Sequence, residues 1–273
     1  MTISPLIRPG VSLAVGLSAW AGYTMAAGAF ALGSLFVFAA TFALTGAVSV
    51  LNQIQEVETD RLMQRTMHRP LAGGQMSRGQ GHALCAALLA AAGLFLGPDF
   101  GWAAVAVMAV VLGLYNGLYT LLKPRTAWAM IPGALCGALP PWIGWLAGGG
   151  GLLALEPVYL LALFFIWQMP HFWMLAENNA ADYAAAGFPV PANSFSGFSR
   201  QAMPRLWALA LAVLGGMAPL FGLVSHAGLA HILAALCPAY GVSVLFVSRG
   251  WLGKAADVFL ATTVLLMVFD KIF

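Results

Sequence analysis

Asn52-Gln53-Ile54-Gln55-Glu56-Val57-Glu58-Thr59-Asp60-Arg61 closes a long apolar run, and Arg65-Thr66-Met67-His68-Arg69-Pro70-Leu71 follows it closely. Charged residues make up only 8% of the chain, so this concentration stands out. Asn52, Glu56 and Asp60 are spaced i, i+4, i+8, which on a helix stacks their oxygens along one face. Arg61, Arg65 and Arg69 continue at the same interval. Oxygen donors suit a hard divalent cation, and guanidinium forks suit phosphate. The pattern predicts a metal-diphosphate site where an apolar span meets water. A solvated helix end whose acids neutralise the nearby arginines would read the same way. Glu58, about 200° round the helix from Glu56, fits either reading. Asn52, deeper than the acids on the same face, favours the first.

Working outward, the 273 residues are 61% hydrophobic with a mean hydropathy of +0.88, well above the apolar share of a soluble domain. The apolar runs also reach the roughly 20 residues that cross a bilayer. The expected fold is all-α: one polytopic membrane domain over residues 1–273. Its nine transmembrane helices fall near 9–30, 34–56, 80–97, 101–121, 127–148, 157–176, 203–225, 228–247 and 254–271. Of the 12 basic residues, all but Lys271 then fall on one side, which the positive-inside rule makes cytoplasmic, N-terminus included. The apolar stretch after Arg8 is longer than the core of a signal peptide, so the first span is read as retained.

Other features are exclusions. Cys85, Cys136 and Cys237 are scattered in apolar segments without ligand spacing and read as small buried hydrophobes. A net charge of +3, explained by topology, gives no basis for nucleic-acid binding. The two longest polar stretches, about 57–79 and 177–202, both follow a span and both break into Gly/Pro-rich sequence, which hints at an internal duplication.

The second of these junctions reads Trp167-Gln168-Met169-Pro170-His171-Phe172-Trp173, then Asn178-Asn179-Ala180-Ala181-Asp182-Tyr183. Asn178 and Asp182 repeat the i, i+4 spacing in weaker form. Pro170 predicts a bend or break that frees backbone carbonyls toward a cavity. His171 among aromatics is as readily a core histidine as a ligand. A third cluster, Tyr115-Asn116, Tyr119-Thr120 and Lys123-Pro124-Arg125-Thr126, ends the fourth span on the same side, where interface anchoring explains it equally well.

Taken together, these motifs resemble the UbiA superfamily of intramembrane prenyltransferases. The acidic motif and Arg65-Thr66-Met67-His68-Arg69-Pro70-Leu71 are similar to the family's first motif. Tyr119-Thr120-Leu121-Leu122-Lys123-Pro124-Arg125-Thr126 resembles a second family segment. Gly137-Ala138-Leu139-Pro140-Pro141-Trp142-Ile143-Gly144-Trp145, Pro170-His171-Phe172-Trp173 and Asp182-Tyr183 with Ala186-Gly187-Phe188-Pro189 are similar to the branch that prenylates heme. The likeness runs from about residue 5 to 200 and fades over the last three spans. Departures are Glu56 for an aspartate, His68 for an asparagine, Arg8 for a lysine, and Asn179 and Ala181 where basic residues are usual.

The resemblance implies helices around a central cavity and transfer of a farnesyl group from farnesyl diphosphate to a vinyl group of protoheme IX, giving heme O. It implies Mg²⁺ held by Asn52, Glu56, Asp60 and Asp182, which serve catalysis. Substrate contacts would come from Arg65, Arg69, Tyr119, Lys123, Arg125, His171 and Asn178, with His171 on the heme side. It places the protein in a bacterial inner membrane, with association to heme A synthase or terminal-oxidase assembly as the implied protein partners. A quinone precursor or another aromatic acceptor stays open as the alternative substrate. Outside this class, an ion-coupled transporter or heme-handling protein would use the same acids.

Overall fold

The computed structural model describes residues 4–97, 100–190, 193 and 197–273, and every regular element among them is helical. The long helices, numbered in chain order, are α1 (Pro9–Ala27), α2 (Leu32–Gln55), α3 (Arg78–Phe95), α4 (Trp102–Leu122), α5 (Ala127–Ala147), α6 (Leu155–Asn178), α7 (Gly197–Gly216), α8 (Ala227–Phe246) and α9 (Arg249–Ile272). Six of them, α2, α4, α5, α6, α8 and α9, are long and apolar enough to cross a membrane. Polar openings dilute two of the others: Arg78 to His82 in α3, Arg200 to Arg205 in α7.

Most expected boundaries lie within a few residues of these. The seventh does not. The span expected at 203–225 begins at Gly197 and stops at Gly216, followed by a 3₁₀ turn at Ala218–Phe221. The Gly215-Gly216 pair weakens the helix there, and Pro219 cannot supply the N–H that continuation needs.

Two apolar cores share a spine. One gathers Val37, Leu44, Met108 and Ile143 from α2, α4 and α5; the other gathers Leu163, Leu211, Leu233 and Phe259 from α6 to α9. Helices α1 and α5 contribute to both. They cross with backbones in contact: a Cβ on Gly22 would meet the Pro141 carbonyl, and one on Gly144 the Ala19 carbonyl. Small residues at such crossings let helices pack by van der Waals contact where lipid removes the hydrophobic drive. At the far end, the Asp270 carboxylate accepts from the backbone N–H of Ser225 and His226, both at 2.8 Å, tying α9 to the turn before α8.

Pro170 does not break α6, which stays helical from Leu155 to Asn178. The expected opening therefore reduces to the Ile166 carbonyl, whose i+4 donor is the proline nitrogen without a hydrogen. In α7, Pro204 likewise frees the Arg200 carbonyl, and Arg249 Nη2 approaches it at 3.5 Å.

Candidate functional site

The first motif keeps its helical register across a defect. Helix α2 ends at Gln55, and Glu56 (φ −100°, ψ 14°) leads into a short helix at Val57–Asp60. The backbone still bonds at i, i+4: Glu56 N–H donates to Asn52 O at 2.9 Å and Asp60 N–H to Glu56 O at 2.7 Å. Asn52, Glu56 and Asp60 are all buried. Glu58 instead is 68% exposed and pairs with Arg61 and Arg78, which settles it as a solvated surface acid.

Each buried acid is met by one base. Lys123 Nζ contacts both Glu56 oxygens at 2.9 and 3.0 Å. Arg69 Nη1 contacts both Asp60 oxygens at 2.8 and 3.0 Å. Taking one such partner away leaves a buried charge uncompensated, so the pairs are mutually required. The arginines do not form the expected ladder. Arg61 Nε turns back to Ala72 O at 3.0 Å, Arg69 reaches Asp60, and Arg65 is exposed. The loop folds on itself from residue 61 onward, so the i, i+4 spacing there has no helix to act through.

Helix α4 leads into Lys123 through a local change of helix type, whereas Arg69 comes from the loop after α2. Residues Gly113–Tyr119 are π-helical, and Thr120 Oγ1 donates to Tyr115 O at 2.9 Å. Such bulges recur at functional sites because they re-aim side chains. Here the result is a polar zipper with α2. Asn116 Nδ2 donates to Gln55 Oε1 at 3.1 Å, Asn52 Nδ2 to Thr120 Oγ1 at 3.1 Å, and Lys123 reaches Glu56. With its NH₂ committed to Thr120, Asn52 keeps its carbonyl oxygen as the free end of the amide.

The second junction closes over the first. Asp182 accepts the backbone N–H of Gln64 at 3.0 Å and of Arg65 at 3.1 Å. Tyr183 and Phe188 put rings beside the Lys123 ammonium, 6.0 and 4.6 Å from its nitrogen. Burial pushes the Tyr183 phenol up, opposed by the positive charges of Arg65 and Arg8, so it is a neutral hydroxyl at physiological pH. Tyr119, Lys123, Phe172 and Tyr183 line a pocket of about 30 Å³ between the two junctions. Arg125 and Asn178 are exposed and do not line that pocket, and Asn178 is not drawn to the acids. His171 faces α9, where its Nδ1 lies 3.4 Å from Asp257 Oδ1.

Gln55, Asn116 and Thr120 complete the zipper; Asn116 and Thr120 lie in the third cluster named from the sequence, where anchoring explained them equally well, and their i, i+4, i+7 spacing with Lys123 is the signal that places them in the site, while Gln55 carried no such signal. Asp257 is an acid in the body of an apolar span, a position that polar groups seldom occupy without a partner or a role. Among the described residues, no three His, Cys, Asp or Glu side chains gather closely enough to hold a metal ion together.

This helical membrane protein buries acid–base pairs where its long helices end and ties those ends to each other. Comparison with known proteins makes the class specific. The UbiA prenyltransferase family profile matches residues 15–267, and the chain belongs to that family. Among curated relatives, a protoheme IX farnesyltransferase of Oleidesulfovibrio alaskensis is 38% identical over 273 residues, covering 98% of this chain and 96% of that one. One of the same name from Geobacter sulfurreducens is 39% identical over 227 residues, 81% of each. Solved structures share the fold. A UbiA homologue from Aeropyrum pernix K1 matches with a TM-score of 0.76 at 18% identity over 97% of each chain. One from Archaeoglobus fulgidus, bound to GPP and Mg²⁺, matches at 0.70 with 16% identity over 99% of each.

Proposed function

We propose that this chain transfers a farnesyl group from farnesyl diphosphate to a vinyl group of protoheme IX, producing heme O at the cytoplasmic side of a bacterial inner membrane. The observation that carries the reading is the convergence of Glu56–Lys123, Asp60–Arg69 and the Asp182 clasp at one end of the helices. The relatives' names point to the acceptor. All nine long helices would span the bilayer around a chamber that widens from the small pocket beside Tyr119 when a prenyl chain enters. Association with heme A synthase or oxidase assembly would place the product beside its consumer.

The donor set fits Mg²⁺ in its chemistry. Asn52, Glu56 and Asp60 offer only oxygen, are buried, and lie within one helical register. A cation bound through substrate phosphates needs only a few such carboxylates. Asn52, Glu56, Asp60 and Asp182 would hold it, and bound Mg²⁺ would stabilise the charge on departing diphosphate. Lys123 and Arg69, placed against those acids, would turn toward phosphate oxygens, with Arg65 and Arg125 at the rim. Tyr119, Phe172 and Tyr183 would exclude water from the allylic carbon. The C–O bond to diphosphate breaks with its electron pair on oxygen, and a heme vinyl carbon bonds the allylic carbon. Water adds to the resulting cation and loses a proton, leaving a hydroxyethylfarnesyl chain.

Membranes from cells expressing the chain, compared with empty-vector membranes, should contain farnesylated heme by mass spectrometry. A farnesylated aromatic acid in its place would redirect the acceptor assignment.

A further inference from the structure

A groove of about 430 Å³ runs between α8 and α9 and shares no residue with the pocket beside Tyr119. Its volume falls in the roughly 300–1,000 Å³ range of small-molecule sites. Leu236, Val258 and the rings of Tyr240 and Phe259, stacked 4.1 Å apart, make its lining apolar. Trp251 and Val258 on its wall are 61% and 66% exposed, so the groove opens outward from the bundle. For two membrane-length helices, that direction is the bilayer.

One end of the groove is charged. Lys254 lines it about 8 Å along α9 from Arg249, the first residue of that helix. The Lys254 ammonium lies over the Trp251 ring at 4.5 Å, and no acid pairs with it among the described residues. Nearby, Arg249 and Arg200 share one carboxylate, Glu177, at 2.6 and 3.0 Å. Arg205 reaches the Val244 and Val247 carbonyls at 3.3 and 3.4 Å, where α8 ends. Asp257 adds a second negative charge, but it is turned to α6, accepting from Trp167 Nε1 at 2.9 Å. Four cations against two carboxylates leave this end of the bundle positive.

From Lys254 to Thr262 the groove follows α9 for about 12 Å, close to the roughly 15 Å of hydrocarbon in one leaflet. A second copy of the chain fits the charge poorly, because a two-fold contact here would bring two Lys254 ammoniums together. We infer that the groove binds one anionic glycerophospholipid, with an acyl chain along Tyr240 and Phe259 and its phosphate at Lys254. The Trp251 ring covers one side of the ammonium and leaves its remaining N–H donors for the phosphate. The lipid so held fills the seam between α8 and α9 and neutralises charge that no carboxylate of the chain meets. The site is independent of the acceptor's identity.

The test mixes the full chain in detergent with phosphatidylglycerol or phosphatidylcholine of matched acyl chains and counts retained lipids by native mass spectrometry. One phosphatidylglycerol per chain should persist, bound about fivefold more tightly than phosphatidylcholine. Lys254→Gln should weaken phosphatidylglycerol about fivefold, the effect of one basic residue at an anionic surface, and bring the two lipids level. Lys271→Gln, at the far end of α9, should change neither. Ala239→Leu, which fills the groove from α8 without altering charge, should weaken both lipids. Wild-type chain that retains the two lipids alike would overturn the assignment, as would phosphatidylglycerol binding indifferent to Lys254→Gln or to Ala239→Leu. A dimer of the chain that Ala239→Leu dissociates would overturn it too and give the groove to a second copy.

Discussion

Asp182 and Arg65 are 117 positions apart in sequence, yet the Asp182 carboxylate accepts the Arg65 backbone N–H at 3.1 Å, beside a second bond from Gln64. This clasp ties the segment after α6 to the loop after α2. Its bonds are charge-assisted but exposed, so water replaces them at modest cost. Asp182→Ala should speed amide exchange at Gln64 and Arg65 about tenfold, a loss of about 1.4 kcal/mol of local protection, within the range for hydrogen bonds to charged groups. Turnover should fall with it. Unchanged exchange at both amides would remove the clasp from the account.

Lys123 and Glu56 are both largely buried, with side chains 14% and 7% exposed. Lys123→Met should therefore destabilise the protein by about 3–5 kcal/mol, since it strands the Glu56 charge. Adding Glu56→Gln should recover most of that stability without recovering turnover. Thermal unfolding of the two single variants and the double variant reads the coupling; strict additivity would show the pair to be independent.

Because the bases already hold the acids, metal is not needed to keep them folded. Chelation by EDTA should abolish turnover, restored by Mg²⁺, with no appreciable change in unfolding temperature. A large fall in that temperature on chelation would mean that the cation, not Lys123 and Arg69, balances Glu56 and Asp60.

Gly144 presses on the Ala19 carbonyl of α1, where a methyl group has no room. Gly144→Ala should destabilise by about 1–3 kcal/mol through overpacking. Gly10→Ala, at a position with open space around the added methyl, serves as the control. Equal unfolding temperatures for both variants would contradict the close crossing of α1 and α5.

The helical membrane architecture was legible because hydrophobic length is a one-dimensional signal that tertiary contacts seldom override. Asn52, Glu56 and Asp60 were legible for a related reason: their register lies within one helix and its continuation. The partners were harder. Lys123 meets Glu56 across 67 residues, and nothing in either segment states that distance. Arg61, Arg65 and Arg69 share the acids' spacing but lie on a folded loop, so identical periodicity carried a different meaning. Pro170 signalled a break that the rest of α6 does not allow. Asp257 lies beyond residue 200, where the likeness was expected to fade; the family profile in fact runs on to residue 267, but no motif there singled this acid out.

The most direct test supplies the purified chain with farnesyl diphosphate, protoheme IX and Mg²⁺, and follows diphosphate release and heme products together. Heme O and diphosphate should form in equal amounts, with both lost in Asp60→Asn. Diphosphate released without farnesylated heme, or heme O formed undiminished by Asp60→Asn, would contradict the proposed transfer.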